Sequence, residues 1–311
     1  MKLKDKLTYI LLCAGAYPVS LLPLRVLYLF ADITAFLAAR VVRYRRKVIR
    51  QNLDTAFPDM TDSRRREIEK GFYRFLADYG VETLKLLTIS RKEMRRRMTF
   101  DNIGSVNRSL ESGRNVVLYL GHYCNWEWVS SMPEWLTSHC VPTQVYHHLH
   151  SKAMDLLFIR IRTRFHAHNE EMKDIMRFLI ENKRAGRPTI TGLIADQSPR
   201  LNHHLFADFF HRETGWFTGP ERIARFLDAD VFYGHMERTR RGYYRLRFDL
   251  MTDTPKKEET FSITREFISR LEQNITEAPQ YYLWSHRRWK HSRREFNEFW
   301  GDKAAEQLSH L

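Results

Sequence analysis

Residues 115–128 read NVVLYLGHYCNWEW, and the first six of them decide how the chain folds. Val116 to Leu120 form a continuous apolar run, which is typical of a strand buried on both faces of a sheet. Further strand patterns occupy 142–147, 188–194, 231–236 and 243–250, and helical patterns separate most of them. This alternation predicts an α/β fold with a largely parallel central sheet, in which 243–250 is a half-exposed strand nearer the edge.

The chain has 311 residues, and 43% of them are apolar, which is enough to bury a large core. A helix is predicted over 61–90, because 63–70 form a basic outer face and apolar residues recur on the other side. The three cysteines are too scattered for a disulfide framework and fit a reducing compartment. We expect a membrane anchor at 1–39, an α/β domain at 40–300 and a tail at 301–311.

The N-terminal segment is strongly apolar. Residues 7–24 contain no charge, and 26–39 contain only Asp32. About 20 apolar residues are needed to span a bilayer, so this segment is expected to be an anchoring helix. The basic cluster at 40–50 then places the rest of the chain in the cytoplasm by the positive-inside rule. Two alternatives stay open, because two prolines, Arg25 and Asp32 interrupt the segment: a buried helical hairpin, or a helix that enters one leaflet.

The charge balance predicts an anionic partner. Lys and Arg number 51 against 37 Asp and Glu, which gives a formal charge of +14. Nucleic acid, an anionic membrane, a phosphorylated substrate and an acidic carrier protein all fit this charge. The basic residues neighbour apolar segments at both ends, and the sequence has no helix-turn-helix, zinc-finger or RNA-recognition signature. A membrane partner is therefore favoured, and a membrane-tethered nucleic-acid-binding protein is the alternative.

His122 follows the carboxyl end of the predicted strand, the edge where ligands gather in open α/β sheets. Asn125 is a suitable N-cap for a helix that begins at Trp126. On a regular helix, His122 and Glu127 would lie about 140° apart, so only a folded loop can bring the imidazole over the carboxylate. A carboxylate that holds one ring nitrogen leaves the other free as a base. On spacing alone, a capping and surface pair is the commoner arrangement.

The motif GHYCNWEW, His-x-x-x-x-Glu after an apolar strand, resembles that of the lipid A late acyltransferases, the lauroyl and myristoyl transferase family. That family is itself similar to the glycerolipid acyltransferases, which carry His-x-x-x-x-Asp. Three later segments are similar to family blocks in the same order: IADQSPR at 194–200, GPERIARFLDADVF at 219–232 and APQYYLWSHRRWK at 278–290. The resemblance runs from the N-terminus to about Lys290.

This resemblance implies a bacterial inner-membrane enzyme whose catalytic domain faces the cytoplasm. The implied reaction transfers a fatty acyl chain from an acyl carrier protein to a hydroxyl of a lipid A precursor, without a cofactor. His122 is then the general base, and Glu127 orients it. The motif reports the chemistry and leaves the acceptor open, so another glycolipid, such as a phosphatidylinositol mannoside, is the alternative. No nucleic-acid partner is expected.

The resemblance also assigns substrate-binding residues. Arg164, in IRIRTRF, falls where the family carries an important arginine, although Arg162 could hold that place instead. Asp196 and Gln197 match the second block and are expected beside the dyad, with Asp196 either orienting an arginine or closing the pocket. Arg225 matches the arginine of the third block, and an exposed helix arginine is the alternative interpretation.

Cysteine and histidine raise two further possibilities. Cys124, two residues from His122, could form a covalent acyl-enzyme, but a small turn residue is favoured because the family commonly has glycine there. Two groups of histidines could bind zinc: His147, His148 and His150, and His203 with His204. Adjacent histidines on a strand point to opposite faces, so polar loop residues around a substrate entrance are favoured and no metal is expected.

Overall fold

A computed structural model describes residues 3–202 and 204–309 of the chain. Its strands are β1 (Met98–Asp101), β2 (Val116–Leu120), β3 (Val141–Tyr146), β4 (His168–Glu171), β5 (Thr189–Ile194), β6 (Leu205–Phe209), β7 (Arg212–Trp216), β8 (Asp230–Arg240) and β9 (Tyr243–Thr252). Seven of them form one sheet in the order β1-β9-β8-β2-β5-β3-β4, and β6 pairs with β7 in a separate hairpin.

The seven-stranded sheet is parallel except where β9 runs antiparallel to β8. Every residue of β2 is buried, and burial alternates along the first half of β9. The predicted mixed α/β fold with a mostly parallel sheet is therefore confirmed. The short strands β1 and β4 at the two edges and the β6–β7 hairpin are not predictable from the sequence, because four or five residues give too weak a pattern.

Helices cover the sheet and extend beyond it. The α-helices are α1 (Leu3–Leu21), α2 (Leu24–Phe36), α3 (Arg46–Ala56), α4 (Asp62–Lys85), α5 (Arg91–Arg97), α6 (Ile103–Glu111), α7 (Lys152–Arg162), α8 (Ile175–Arg184), α9 (Gly219–Leu227), α10 (Ser262–Glu277), α11 (Arg293–Trp300) and α12 (Ala304–Ser309). A π-helical turn spans Leu37–Val41, and 3-10 helices span Trp126–Trp135, Pro279–Tyr281 and Gly301–Lys303. The predicted long helix is α4, which begins where the Thr61 hydroxyl accepts from the backbone N–H of Arg64 at 3.3 Å.

The N-terminal segment forms two helices, which corrects the expected single anchoring helix. Pro23 lies in extended backbone before α2, and it has no N–H with which to continue α1. No single helix in the described ranges is long and apolar enough to cross a membrane. Leu3–Leu21 and Leu24–Val41 reach that length and composition only as a pair, and they are bent by 115°. The boundaries at 39 and 300 stay predictions.

The second of these helices belongs to the core of the domain. Leu24, Leu27, Ala31 and Ala35 of α2 are buried, and α2 packs along α4. Its other face is exposed. The helix is therefore shared between the protein interior and its surroundings, and removing it would uncover core side chains.

Candidate active site

The register of the sheet brings two segments of the chain to one point. β2 and β5 are parallel neighbours, and Leu120 pairs with Ile194 at their carboxyl ends. Two residues further on, His122 and Asp196 therefore lie side by side, although 74 positions separate them in the chain. Gly121 lets α10 pack close to this loop, since a Cβ there would stand 2.5 Å from Leu271 Cδ1. The site lies at the sheet edge that the sequence predicted.

Asp196 holds His122 through two contacts. Its Oδ1 lies 2.6 Å from the ring Nδ1 of His122, and its Oδ2 accepts from the backbone N–H of His122 at 3.0 Å. The Asp196 side chain is 1% exposed. Burial opposes ionisation of this carboxyl, but the charge and hydrogen bonds of His122 and the positive charge of Arg288 hold its pKa below the usual value. Asp196 is therefore an ionised carboxylate that can only accept hydrogen bonds.

This contact fixes the tautomer of His122. Because an ionised carboxylate faces Nδ1, the ring proton lies on Nδ1 and Nε2 carries a lone pair that can accept a hydrogen bond. Nε2 lies 3.1 Å from the amide nitrogen of Gln197, and the edge of the Trp126 ring lies against the imidazole at a centroid distance of 5.1 Å. The His122 side chain is 16% exposed, so a ligand can reach it. Nε2 is therefore placed where it could take a proton from a bound ligand.

Glu127 has a different partner from the one expected. Both of its oxygens accept from the Arg162 guanidinium, at 2.6 and 2.8 Å, and Tyr79 donates to it at 3.3 Å. The expected contact between Glu127 and the His122 ring is therefore corrected: Asp196 occupies the ring nitrogen. Asn125 caps the helix at Trp126 as predicted, with its Oδ1 3.2 Å from the N–H of Trp128.

Glu127 pairs with Arg162 and not with His122 because the guanidinium donates two hydrogen bonds to the carboxylate. The Glu127 side chain is 3% exposed, and a carboxylate at this depth needs a full positive charge more than a neutral ring. Burial alone would lower the pKa of Arg162, but the hydrogen bonds and charge of Glu127 raise it above its ordinary value. Arg162, the alternative to Arg164 in the sequence, thus joins Glu127 at the start of the 3-10 helix to α7.

We expect Glu127→Gln to destabilise the protein, because Arg162 would keep its charge and lose its counter-charge. Breaking one partner of a buried pair costs about 3–5 kcal/mol, and partial exposure of Arg162 places this loss near the lower end. Urea unfolding measures it. Glu298→Gln is the control, since it breaks the exposed Arg294–Glu298 pair and should cost less than about 0.5 kcal/mol. If Glu127→Gln were as stable as the parent but as inactive as a His122 variant, Glu127 would have a catalytic and not a structural role.

Two predicted substrate-binding arginines lie elsewhere. The Arg164 guanidinium donates to the carbonyl oxygens of Leu87 and Ile89, both at 3.2 Å, beyond the end of α4. Arg225 binds Glu221 and donates to the Glu259 carbonyl at 2.6 Å, before α10 begins. Both arginines make contacts that hold the fold together.

The length of α10 shows how far Arg225 lies from His122. His122 lies at the other end of this helix, where the neighbouring Tyr123 hydroxyl donates to the Ala278 carbonyl at 3.2 Å. α10 has 16 residues, which at 1.5 Å each makes about 24 Å. The structure therefore brings Asp196 and Gln197 to His122 and leaves Arg225 at the opposite edge of the sheet.

Cys124 is placed poorly for a nucleophile. It is fully buried, and burial raises the pKa of its thiol well above the usual value. Its φ is 51°, a left-handed conformation that favours glycine, and its backbone N–H donates to the Tyr281 carbonyl at 2.9 Å. These features fit a turn residue.

We expect Cys124→Gly to keep activity within about threefold of the parent, because the turn tolerates glycine and the thiol takes no part in the reaction. Steady-state kinetics with varied donor and acceptor measure this. Ping-pong kinetics in the parent, or an acyl group trapped on Cys124, would contradict direct transfer.

Two residues behind the site escaped the sequence analysis. The backbone N–H of Ser198 donates to His286 Nε2 at 3.0 Å, and burial lowers the pKa of His286 to about 4, so this ring is neutral. Arg288 is 2% exposed and donates to the Gly215 carbonyl at 3.0 Å, and burial lowers its pKa to about 10. Both lie in the segment SHRRWK, for which the only signal was the family resemblance.

Glu82 is a third missed residue, and it fixes the loop after His122. It is fully buried, accepts from the side chains of Asn125 at 2.7 Å and Tyr244 at 2.7 Å, and its backbone carbonyl accepts from the Trp128 indole at 3.0 Å. Burial raises the pKa of this carboxyl. A charged residue within the apolar part of α4 was the available signal.

The histidine groups show no metal geometry. His148 lies between two carboxylates, with Nδ1 2.6 Å from Asp155 and Nε2 3.1 Å from Glu171. His204 contacts the carbonyl of Gln307 at 2.9 Å, and His203 lies outside the described residues. Within 3–202 and 204–309, no group of three or more His, Cys, Asp or Glu residues could hold a metal ion.

The family model described as bacterial lipid A biosynthesis acyltransferase matches residues 2–291. No curated protein matches the chain.

Proposed function

The chain belongs to the bacterial lipid A biosynthesis acyltransferase family, and on this premise we propose that it transfers a fatty acyl chain from an acyl carrier protein thioester to a hydroxyl of a lipid A precursor. The observation that carries the proposal is the His122–Asp196 pair, which leaves Nε2 as a base at the carboxyl edge of the sheet. Transfer to a hydroxyl requires such a base, because a neutral alcohol is a weak nucleophile.

The reaction proceeds by direct attack. His122 Nε2 takes the proton of the acceptor hydroxyl while its oxygen forms a bond to the thioester carbonyl carbon. The tetrahedral intermediate then loses the thiolate, which receives the proton from the imidazolium. Asp196 stabilises that imidazolium and keeps the ring oriented throughout, the role of the aspartate in a catalytic triad.

Gln197 adjusts to the substrate. Its amide nitrogen lies 3.1 Å from Nε2, where the acceptor hydroxyl must bind. The hydroxyl therefore displaces this amide, whose N–H groups then become donors for the oxyanion of the intermediate. In this proposal Gln197, and neither Arg164 nor Arg225, contacts the reacting atoms.

The proposed location is the cytoplasmic side of the bacterial inner membrane. Four large apolar side chains of α2 are exposed: Leu29, Phe30, Ile33 and Phe36, at 64, 53, 58 and 62%. α1 exposes Leu3, Leu7, Ile10 and Leu11 as well. Contiguous apolar surface beside the basic segment 40–50 suits an interfacial bilayer contact.

We expect replacement of those four α2 residues with serine to abolish most binding to vesicles that contain anionic phospholipid. Each such side chain contributes about 1.5–3 kcal/mol when buried, so affinity should fall more than about 100-fold. Co-sedimentation at high salt measures it. Leu250→Ser with Phe299→Ser, two exposed positions elsewhere, is the control. Undiminished binding of the α2 variant would contradict the anchor.

Reconstitution tests the activity itself. Purified protein, an acyl carrier protein charged with a fatty acid, and a lipid A precursor should give a product heavier by one acyl group, measured by mass spectrometry. Hydrolysis of the thioester without a lipid product would overturn the proposal. Acylation of a phosphatidylinositol mannoside in place of the lipid A precursor would establish the alternative acceptor.

A further inference from the structure

A large basic cavity lies apart from His122. It has a volume of about 1370 Å³ and opens between α2, α3, α4 and the turn that joins β8 to β9. Ten Lys and Arg residues line it against four Asp and Glu residues, which leaves a formal +6 in one cavity. Such a concentration of charge attracts an anionic ligand.

The acidic residues of this cavity are already paired. Asp78 binds Arg238 and Arg241, both at 2.6 Å, and Glu69 binds Arg46 and Arg50. The two other acids pair likewise, Asp32 with Arg241 and Glu67 with Arg64. The positive charges that these pairs leave over are therefore not neutralised by the protein.

Arg46 and Arg50 share Glu69, which leaves one of the six charges. The other five belong to residues that form no ion pair with an acidic side chain in the described part of the chain. They are Arg40, Arg66, Lys70, Arg74 and Arg240. Three of them, Arg66, Lys70 and Arg74, follow one another at helical spacing along the exposed face of α4. Like charges at this spacing destabilise a helix, and a bound anion would offset that cost.

The base of the cavity is also charged. The Arg238 side chain is 7% exposed, and its Nε has no hydrogen-bond acceptor among the residues that the structure describes. Its guanidinium lies over the ring of Tyr281, 5.5 Å from the centroid. Asp78 offsets the charge of this guanidinium, so what Arg238 adds is a buried N–H donor that is not satisfied within the described residues.

One wall of the cavity is apolar. Phe36 and Ala39 line it, and the exposed side chains of Leu37, Val41 and Val42 continue beyond them. The proposed membrane face and the basic residues therefore meet at the cavity mouth. A ligand with an anionic head and an apolar tail fits this arrangement, whereas the surface of an acidic protein would reach only the rim.

The cavity and the catalytic site share a wall. Tyr281 lines the cavity, and its carbonyl accepts from the Cys124 N–H at 2.9 Å, two residues from His122. The Tyr281 ring contacts Phe75 at 5.6 Å, and Tyr79 and Trp126 continue the aromatic contacts to the His122 ring. The head of a lipid in the cavity would therefore lie one layer of packed aromatic side chains away from the His122 loop.

We propose that this cavity binds the phosphorylated headgroup of the acceptor lipid and so positions the acceptor for transfer at His122. This inference rests on the proposed function, because it names where that acceptor is held. The phosphates bind the unpaired cations of α4, and the acyl chains lie along the apolar wall beside α2.

The test is a direct binding measurement that needs no catalysis. The variant Arg66→Gln/Lys70→Gln/Arg74→Gln removes three exposed charges, and glutamine preserves helix propensity. Its control is Lys92→Gln/Arg187→Gln/Arg222→Gln, which removes three exposed charges outside the cavity. Both are compared with the parent for binding a lipid A precursor in neutral detergent micelles, before and after a phosphatase removes its phosphates.

We expect the cavity variant to bind the phosphorylated precursor at least about tenfold more weakly than the parent, since each cation near an anionic lipid contributes about fivefold. The control should bind within about twofold of the parent. Parent and cavity variant should bind the dephosphorylated lipid with equal affinity. Equal binding by all three proteins, or a loss that appears only with vesicles of anionic phospholipid, would overturn the proposal.

Transfer kinetics separate this inference from the proposed function. In the cavity variant, KM for the acceptor should rise while kcat at saturating acceptor stays within about threefold of the parent. A parent that binds the phosphorylated precursor through these residues but transfers nothing to it would contradict the proposed function alone. A parent that transfers normally, with a KM that the variant leaves unchanged, would contradict the cavity alone.

Discussion

His122→Ala is expected to lower kcat by about 10²- to 10⁴-fold, the usual contribution of a positioned general base. The substitution removes the nitrogen that takes the proton from the acceptor hydroxyl. It changes nothing in the basic cavity, so binding of the acceptor lipid should stay within about twofold of the parent. Single-turnover kinetics with a charged acyl carrier protein measure the chemical step directly.

His148→Ala is the matched control for this variant. His148 is also held by carboxylates, but it is half exposed and lies between β3 and α7. Its loss should leave kcat within about threefold of the parent. A His122→Ala enzyme with a similarly small effect would remove His122 from the chemistry.

Asp196→Asn is expected to lower kcat by a comparable factor, about 10²- to 10⁴-fold, although it changes a single atom of the side chain. The backbone N–H of His122 needs an acceptor, so the asparagine oxygen should face it and the NH₂ group should face the ring Nδ1. That arrangement favours the tautomer with its proton on Nε2, which cannot accept another. In a catalytic triad the same substitution keeps the geometry and lowers kcat about 10⁴-fold.

Nitrogen NMR of the imidazole separates this explanation from a structural defect. The parent should carry its ring proton on Nδ1 and the Asp196→Asn protein on Nε2. The double variant with His122→Ala should be no slower than His122→Ala alone, because Asp196 acts through His122. An Asp196→Asn enzyme with parent-like kcat would contradict the pairing, as would a further large loss in the double variant.

Substitutions of Glu127 and Asp196 should have different kinds of effect, and this difference tests whether Asp196, and not Glu127, is the partner of His122. Glu127→Gln should lower stability through Arg162, whereas Asp196→Asn should lower kcat through His122. Both residues are buried carboxylates near the same loop, so burial alone does not distinguish them. Only the partner of each carboxylate separates a structural role from a catalytic one.

The sequence by itself determined the fold class and the place of the site. The buried strand Val116–Leu120 required neighbours on both sides, and the alternation of strands with helices required that most of them be parallel. The position of His122 after that strand, and the N-cap at Asn125, are local properties of a few adjacent residues. Local patterns of this kind are legible because backbone geometry ties neighbouring side chains to fixed directions.

Tertiary structure decided which carboxylate pairs with His122 and which pairs with Arg162. His122 and Asp196 are 74 residues apart, and only the register of β2 with β5 brings them within 2.6 Å. Arg162, from α7, takes Glu127 away from the histidine. The basic cavity likewise gathers residues from α2, α3, α4 and the β8–β9 turn, which no sequence window contains. Such contacts depend on how the elements pack, because the free energy of a buried charge is set by the partners that surround it in space.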